Sequence, residues 1–399
     1  MKYVVFLLDG MADVKNEQLG NKTPMQAAFK PNIDALAKTA LIGLAKTVPD
    51  GFSPGSDVAN LSVMGYNPKD CYSGRSPLEA ASIGVDLAET DLCLRCNLVT
   101  LSDEENYCDK HMVDYCGGDI STAEADVLIK YLQEKLGNEI ISFYTGTQYR
   151  HCTVSKNTKN TPLKLTPPHD ISGKRIGDYL SNVKESQPFI ELMKKSYELL
   201  NNHPLNIERA KNGKNKANSA WFWGEGVRPS VKDFKEKNGI SGGVVSAVDL
   251  LKGIGIYANM TVAKVEGATG YIDSNFTAKV NAALEILKTN DYVYIHMEAP
   301  DECGHRGEVL NKVKAIEIID KDVVGPMLNA LKDEEIRVLV APDHPTPLDI
   351  KTHTRNPVPF LIYDSRKDLG GGVFTEEGAE KTGIYVAEGY KLCDMLLEK

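Results

Sequence analysis

Short, mostly apolar runs occur near both ends of the chain, and two of them lead into acidic residues. The runs that predict strands are residues 3–8, 292–297, 337–341 and 359–363. Runs of this length without polar alternation are typical of parallel strands that are buried on both faces. The first run leads into Asp9 and the third into Asp343 and His344, so these side chains are predicted at the carboxyl ends of strands.

Helical signals lie between these strands. Thr23-Pro24 predicts a helix with proline in its first turn, and Pro31-Asn32 predicts a second helix that runs to Ala40. Apolar periodicity predicts two further helices, at 311–331 and 386–397. Strands that alternate with helices predict an α/β fold with a doubly wound, mainly parallel sheet, and an active site beyond the carboxyl ends of its strands.

The middle of the chain has a different character. It contains both tryptophans, four cysteines in a short span, and polar Lys/Asn-rich stretches at 155–160 and 211–218. We therefore predict a smaller α+β domain at 93–243, inserted into a core formed by 1–92 and 244–399.

Composition limits the classes of partner. The chain of 399 residues has 46 basic and 55 acidic side chains and a net charge of −9, which disfavours nucleic acid or an acidic membrane as the main partner. No run approaches the ~20 apolar residues that a membrane span requires. The first apolar run is too short, and too soon followed by Asp9, for a signal peptide, so a cytoplasmic location is expected.

The cysteines allow two interpretations. Cys93 and Cys96 form a C-x-x-C pair, and together with Cys108 and Cys116 they could hold a structural zinc ion. However, residues 92–100 alternate like a strand, which places Cys93 and Cys96 on opposite faces. Ordinary thiols in a reducing compartment are therefore the favoured interpretation.

Candidate metal ligands cluster in the last third of the chain. Four of the eight histidines lie between 296 and 353. Asp301 and His305 form a D-x-x-x-H pair, predicted on one loop, and Asp343-His344 and then His353 follow. Carboxylate and imidazole together suit zinc or manganese, and two such groups could hold the paired ions of a phosphoryl-transfer site. His296 lies inside a predicted strand, which favours a structural or ligand-supporting role.

Ser56 lies where a Gly/Pro/Ser-rich loop, 48–60, enters a predicted helix. A helix start offers N–H groups and a positive dipole end to an anion, which would suit a nucleophile for phosphate. The alternative is a serine that caps the helix, which is the more common use of serine at this position.

Several long motifs resemble one family. They are LLDGMAD around Asp9, GSDVANLSVMGYNP at 55–68, SGRSPLEAASIGV at 73–85, VDLLKGIG at 248–255, VEGATGYIDSNF at 265–276, APDECGHRGE at 299–308, and APDHPTPL with THTRNPVPF within 341–360. Together they resemble the alkaline phosphatase superfamily and, within it, the archaeal-type branch of the cofactor-independent phosphoglycerate mutases.

The resemblance implies two divalent ions, which are manganese in many relatives and zinc or cobalt in others. The set implied for one ion is Asp301, His305 and His353, and the set implied for the other is Asp9, Ser56, Asp343 and His344. The implied reaction transfers the phosphate of 3-phosphoglycerate to Ser56 and then to the other hydroxyl of the retained glycerate, giving 2-phosphoglycerate. The inserted domain is expected to exclude water from the active site while the glycerate reorients.

A small phosphorylated hydroxy acid requires cations for its phosphate and its carboxylate. The candidate substrate-binding residues are Arg75, Arg150, His151, Arg228 and Lys252. Each could equally be a solvated surface residue.

Three other functions remain open at this point. Proteins that resemble this branch, with segments such as EAPDECGHRGE, have been proposed as an alternative homoserine kinase, which would share the metal ligands and the nucleophile. A net phosphatase would also use the same residues. A metal-stabilised binding module without catalysis is the third, although a carboxylate-rich set that includes serine suits an open site better than a closed structural one.

Overall fold

A computed structural model describes all residues, 1–399, and divides them into two compact units. The first unit combines Met1–Tyr72 with Ser230–Lys399, and the second is the intervening segment Ser73–Pro229. No helix is long and apolar enough to cross a membrane.

The strands are numbered along the chain. They are β1 (Lys2–Leu8), β2 (Leu41–Ala45), β3 (Leu92–Leu101), β4 (Met112–Asp114), β5 (Ile141–Thr147), β6 (Arg150–Ser155), β7 (Ser219–Val227), β8 (Gly242–Val245), β9 (Thr261–Val262), β10 (Tyr292–Met297), β11 (Ile336–Ala341), β12 (Val358–Asp364) and β13 (Tyr385–Val386).

The α-helices are numbered in the same way. They are α1 (Pro24–Ala27), α2 (Pro31–Ala37), α3 (Ser56–Val63), α4 (Pro68–Cys71), α5 (Ser76–Ser82), α6 (Thr122–Leu136), α7 (Gln187–Leu200), α8 (Pro204–Lys211), α9 (Phe234–Asn238), α10 (Asp249–Tyr257), α11 (Phe276–Thr289), α12 (Ala299–Arg306), α13 (Val309–Ile319), α14 (Gly325–Ala330), α15 (Glu376–Lys381) and α16 (Lys391–Leu397).

The first unit contains an eight-stranded sheet in the order β13-β2-β12-β11-β1-β10-β8-β9. Strand β1 pairs in parallel with β10 on one side and with β11 on the other, whereas β12 is antiparallel to both of its neighbours. The three parallel strands β10, β1 and β11 therefore end at the same edge of the sheet. Ligand-binding and catalytic residues are expected at this edge in such sheets.

Helices cover both faces of this sheet. On one face, alternate residues of β1 such as Val4 and Phe6 pack in a core with side chains of α2, α11 and α13. On the other face, the Tyr294 hydroxyl of β10 donates to Asn60 of α3, and Arg337 of β11 donates to the Leu396 carbonyl of α16. The prediction of a mixed α/β fold with a large sheet is confirmed.

The second unit is an antiparallel sheet with helices. Strand β3 pairs with β4, β6 and β7, and β5 pairs with β6. One face of β3 packs with α6 and α7 in the main core of this unit. On the other face, Cys93 packs with Ala80 of α5 and with Cys152 and Val154 of β6.

Two details differ from the sequence-based predictions. The units change over at 72/73 and 229/230 rather than at 92/93 and 243/244, because α5 packs on β3 whereas β8 pairs with β10 of the first unit's sheet. The D-x-x-x-H pair lies on helix α12 rather than on a loop. Pro300 in the first turn and Gly307, with φ of 69° at the C-terminus, delimit this short helix.

Candidate metal centre

Acidic and imidazole side chains converge beyond the carboxyl ends of β1, β10 and β11. Asp9 directly follows β1, and Asp343 and His344 follow β11. Asp301 and His305 are one turn apart on α12, which follows β10. The parallel order of the three strands therefore brings together residues that are about 290 to 340 positions apart in the sequence.

The first group consists of Asp301, His305 and His353. Nε2 of His305 lies 3.2 Å from Asp301 Oδ2, and Nε2 of His353 lies 3.4 Å from Asp301 Oδ1. The two Nε2 atoms are 2.8 Å apart. The ligand atoms of all three residues lie within 4.8 Å of one another, as the donors of one metal ion must.

The other ring nitrogens show which way these imidazoles face. Nδ1 of His305 lies 3.0 Å from the Lys351 carbonyl and Nδ1 of His353 lies 3.4 Å from the Pro54 carbonyl. A carbonyl only accepts, so each Nδ1 carries hydrogen and a neutral ring keeps its lone pair on Nε2. Lone pairs that converge on a carboxylate require a cation between them, which is the usual arrangement of metal-binding histidines.

The second group is formed by Asp9, Ser56, Asp343 and His344. Ser56 Oγ lies 3.2 Å from His344 Nε2 and 3.5 Å from Asp9 Oδ2. His344 Nε2 is also 3.4 Å from Asp343 Oδ2 and 3.7 Å from Asp9 Oδ1. Asp301 is shared between the groups, because its carboxylate also lies within 4.8 Å of the ligand atoms of Asp9 and His344.

Electrostatics in this cluster favour bound cations. Burial, with Asp343 and Asp301 close by, raises the pKa of Asp9 well above its usual value. Burial also acts to raise the pKa of Asp301, but hydrogen bonds to His305 and His353 outweigh it and hold that pKa well below its usual value. The hydrogen bond to Asp301 raises the pKa of His305 to about 9, so an ion that binds Nε2 has to displace a proton from it. Three nearby carboxylates thus share a buried space in which unpaired negative charge is costly.

One atom supports this interpretation directly. Asp9 Oδ1 is buried and has no hydrogen-bond partner. A buried carboxylate oxygen without a donor is unfavourable unless a cation satisfies it, so the donor set fits a divalent ion. Gly10 is required beside it: its φ is 62°, and a Cβ there would lie 2.6 Å from Asp301 Oδ1.

Ser56 is the first residue of α3, and Gly55 occupies the N-cap position with extended backbone. No side chain caps this helix, so the alternative of Ser56 as a helix cap is wrong. The Ser56 hydroxyl is instead directed to Asp9 and His344. In the first turn of α3, the Val58 N–H donates to Asp57 Oδ1 at 2.9 Å.

Sequence reasoning missed the residues that hold these groups in place. Asn60 is fully buried, and its amide donates to the Ser56 carbonyl and to Asp343 Oδ2, both at 2.8 Å. Thr346 donates to Asp301 Oδ1. The spacing of four residues between Ser56 and Asn60 was the available signal, since residues i and i+4 share one face of a helix.

The predicted substrate-binding cations belong to both units, and three of them lie beside carboxylates. In the second unit, Arg75 pairs with Glu79 at 3.0 Å, and Glu79 also accepts from Arg95. Arg228 pairs with Asp86 at 2.9 Å. In the first unit, Lys252 lies 3.1 Å from Asp249.

Arg150 and His151 of β6 point to opposite faces of their strand. Arg150 is exposed, with its guanidinium 5.8 Å from the Tyr149 ring. His151 is buried, its Nδ1 accepts from the Gly146 N–H, and burial lowers its pKa to about 3. Burial at this position thus favours the neutral form of the His151 ring.

No cysteine belongs to either group of candidate metal ligands. Cys93 and Cys96 face opposite sides of β3, as predicted, and pack in different apolar clusters. Cys93 Sγ lies 3.2 Å from Cys152 Sγ, and all eight cysteines are free thiols.

Comparison with known proteins identifies the family. A family model described as "2,3-bisphosphoglycerate-independent phosphoglycerate mutase" matches residues 37–206. A probable 2,3-bisphosphoglycerate-independent phosphoglycerate mutase of Geobacter sulfurreducens is 50% identical over 402 residues, with 100% of both chains covered. The mutase of that name from Methanosarcina barkeri is 49% identical with the same coverage.

The chain belongs to the 2,3-bisphosphoglycerate-independent phosphoglycerate mutase family. Solved structures agree with this membership. A Pyrococcus horikoshii protein has 28% identity and a TM-score of 0.83, with 100% of this chain and 97% of that chain covered. A cofactor-independent phosphoglycerate mutase from Thermoplasma acidophilum has 26% identity and a TM-score of 0.68, with 100% and 99% covered. The mutase-family fold thus extends over the whole chain.

Proposed function

We propose that this protein interconverts 3-phosphoglycerate and 2-phosphoglycerate, as a step of glycolysis and gluconeogenesis, through a phosphoserine at Ser56. The single observation that carries the proposal is the position of the Ser56 hydroxyl, 3.2 Å from His344 Nε2 and 3.5 Å from Asp9 Oδ2, at the start of a helix that no side chain caps. The names of the full-length relatives support the choice of substrate.

We further propose that two divalent ions, with manganese expected and zinc or cobalt as alternatives, occupy the candidate metal centre. Asp301, His305 and His353 would hold one, and Asp9, Ser56, Asp343 and His344 would hold the other. Bound ions would supply Lewis-acid activation and neutralise charge on the transferring phosphoryl group.

The residues of the chain have defined tasks in this reaction. Ser56 Oγ attacks phosphorus, the bond from phosphorus to the C3 oxygen breaks, and the serine proton is balanced by the one that the C3 oxygen gains. The C2 hydroxyl then attacks the phosphoserine, giving 2-phosphoglycerate and restoring the Ser56 hydroxyl. The positive dipole end at the start of α3, where no N-cap side chain intervenes, favours the anionic phosphoryl group at this position.

Among the candidate substrate cations, Arg150 is the one we propose for direct recognition, because it is exposed and sits on a β-strand. Lys252 is proposed for a second anionic group. Arg75 and Arg228 would first have to exchange their carboxylate partners, Glu79 and Asp86, for the substrate.

The proposal is tested by incubating the purified chain with 3-phosphoglycerate and Mn²⁺, Co²⁺ or Zn²⁺ and coupling product formation to enolase. Turnover that depends on the ion is expected. Homoserine with ATP, and release of free phosphate, are measured in parallel. No 2-phosphoglycerate with any of the three ions, or phosphate released faster than 2-phosphoglycerate, would refute the mutase proposal in favour of the kinase or the phosphatase.

Replacement of His305 by alanine is expected to reduce the metal content from two ions per chain to one, because Asp301 and His353 alone leave an incomplete donor set. Metal analysis after dialysis against a weak chelator measures the change. His111→Ala is the matched control, since His111 is half-exposed and lies in the second unit. An unchanged ion count in His305→Ala would contradict the assignment.

A further inference from the structure

His296 is the fourth histidine near the cluster, and it differs from the other three. It is fully buried on β10, and its Nε2 lies 2.8 Å from Asp9 Oδ2. Its backbone is fixed on two sides: its carbonyl accepts from Lys279 Nζ at 2.9 Å, and the residue pairs with Leu7 of β1. The imidazole therefore meets the carboxylate of Asp9 from a rigid strand.

The hydrogen-bond pattern assigns the tautomer of His296. Ser246 Oγ accepts from the Val248 N–H at 3.0 Å, so its own hydrogen is available for donation. The other ring nitrogen, Nδ1, lies 3.2 Å from Ser246 Oγ. When Nδ1 accepts this hydrogen, Nε2 carries the ring hydrogen and donates it to Asp9 Oδ2. The chain of donors thus runs from Val248 through Ser246 and His296 to Asp9.

The three candidate ligand histidines have the opposite arrangement. Nδ1 of His344 lies 3.3 Å from Thr346 Oγ1, whose hydrogen is already donated to Asp301. Nδ1 of His344 is therefore the donor, and its Nε2 lone pair faces the cluster, as in His305 and His353. His296 alone presents an N–H to a candidate ligand, so it acts on Asp9 as a donor and is not itself a metal ligand.

The contact leaves the two oxygens of Asp9 in different situations. Oδ2 accepts from His296, whereas Oδ1 is buried and accepts no hydrogen bond. A carboxylate held by one oxygen keeps a defined rotation and offers the other oxygen to a cation. Partners of this kind orient metal ligands and raise their basicity.

We propose that His296, with its tautomer set by Ser246, is a positioning residue that directs Asp9 Oδ1 to the metal ion of the second group. The inference rests on the metal centre of the proposed function, but not on the identity of the substrate. Loss of the contact is expected to weaken metal binding at the Asp9 site about 10- to 100-fold, the usual effect of removing such a partner. The site of Asp301, His305 and His353 is expected to retain its affinity.

Two substitutions of His296 separate the roles of its two nitrogens. Asparagine places a polar group near the former Nδ1, so His296→Asn keeps a partner for Ser246 but is too short to reach Asp9. Glutamine reaches the former Nε2 position, so His296→Gln restores a donor to Asp9. Tyr292→Phe is the matched control, because Tyr292 lies on the same strand and its buried hydroxyl has no hydrogen-bond partner.

The experiment is a Mn²⁺ titration of the metal-depleted full chain, followed by the electron paramagnetic resonance signal of the free ion. The wild type is expected to bind two ions, and Tyr292→Phe is expected to bind two ions with the affinities of the wild type. His296→Asn should show one site weakened about 10- to 100-fold, and His296→Gln should recover most of that loss. If the asparagine variant does not fold, Ser246→Ala carries the same test, with a smaller loss at the same site.

Wild-type affinity at both sites in His296→Asn would overturn the inference, and so would an equal loss in the asparagine and glutamine variants. The mutase proposal fails separately: two bound ions in the wild type without turnover of 3-phosphoglycerate would refute the reaction and leave the role of His296 intact.

Discussion

Replacement of Ser56 by alanine is expected to lower the rate of phosphoryl transfer on the order of 10⁴-fold or more, the scale seen when a nucleophile is removed. No other hydroxyl in the second ligand group can replace it, because the remaining members are Asp9, Asp343 and His344. Coupled enolase kinetics measure the rate. The variant should still fold, because Ser56 is the first helical residue and its side chain caps nothing.

Ser62→Ala provides the matched control for this experiment. Ser62 lies on the same helix, is buried, and its hydroxyl has no hydrogen-bond partner. We expect near-wild-type turnover from it. Incubation of the wild type with substrate should also leave phosphate on the peptide that contains Ser56. Full activity in Ser56→Ala, or phosphate on a different residue, would contradict the assignment of the nucleophile.

Replacement of Lys312 by methionine is expected to destabilise the first unit by about 3–5 kcal/mol, because it leaves the charge of Asp13 buried without a countercharge. Lys312 Nζ lies 2.7 Å from Asp13 Oδ2 and 2.8 Å from the Thr346 carbonyl, and both charged side chains are almost completely buried. The shift in the urea unfolding midpoint, at fixed metal concentration, measures the loss.

Two companion variants test the cause of that loss. Lys314→Met, an exposed position on the same helix, should change stability little. Adding Asp13→Asn to Lys312→Met should restore part of the stability, because the uncompensated charge is removed while the amide oxygen can still accept from the Leu348 N–H. A double variant that is less stable than Lys312→Met would refute the buried-charge explanation.

The strands that lead to the candidate metal centre were predictable from sequence. β1, β10 and β11 are mostly apolar, and each is followed by acidic or histidine residues, so the pattern indicates both the strand and its end. The start of α1 at Thr23 was equally predictable, because the side chains of Thr23 and Gln26 form a reciprocal cap. In these places local signals and the tertiary structure agree.

Elements that depend on distant contacts were not predictable. The predicted helix at 311–331 is interrupted by a π-helical turn at Asp320–Val324. Asp320 is buried there and accepts from the N–H groups of Asn32 and Ile33, a contact across 287 positions or more that no local pattern reveals. The predicted closing helix at 386–397 begins only at Lys391, because Tyr385–Val386 pair with β2 instead.

The same limit applies to the candidate site. Asp9, Asp301 and Asp343 stand out in sequence because charged residues beside apolar runs require an explanation. Tyr294 and Asn60 do not stand out, because a tyrosine in a strand and an asparagine in a helix are ordinary. Only the fold brings the Tyr294 hydroxyl to Asn60 Oδ1, at 2.6 Å, and so orients the amide that holds Asp343.

The division of the chain has a consequence for synthesis on the ribosome. The second unit is one continuous segment, Ser73–Pro229, so it can fold as soon as that segment has emerged. β1 lies between β10 and β11, which come far later in the chain, so β1 lacks both of its neighbours until those strands have been made. The nascent chain therefore carries Asp9 and Ser56 without the other donors until Asp343, His344 and His353 have been made, so neither of the two proposed ion sites can form before that point.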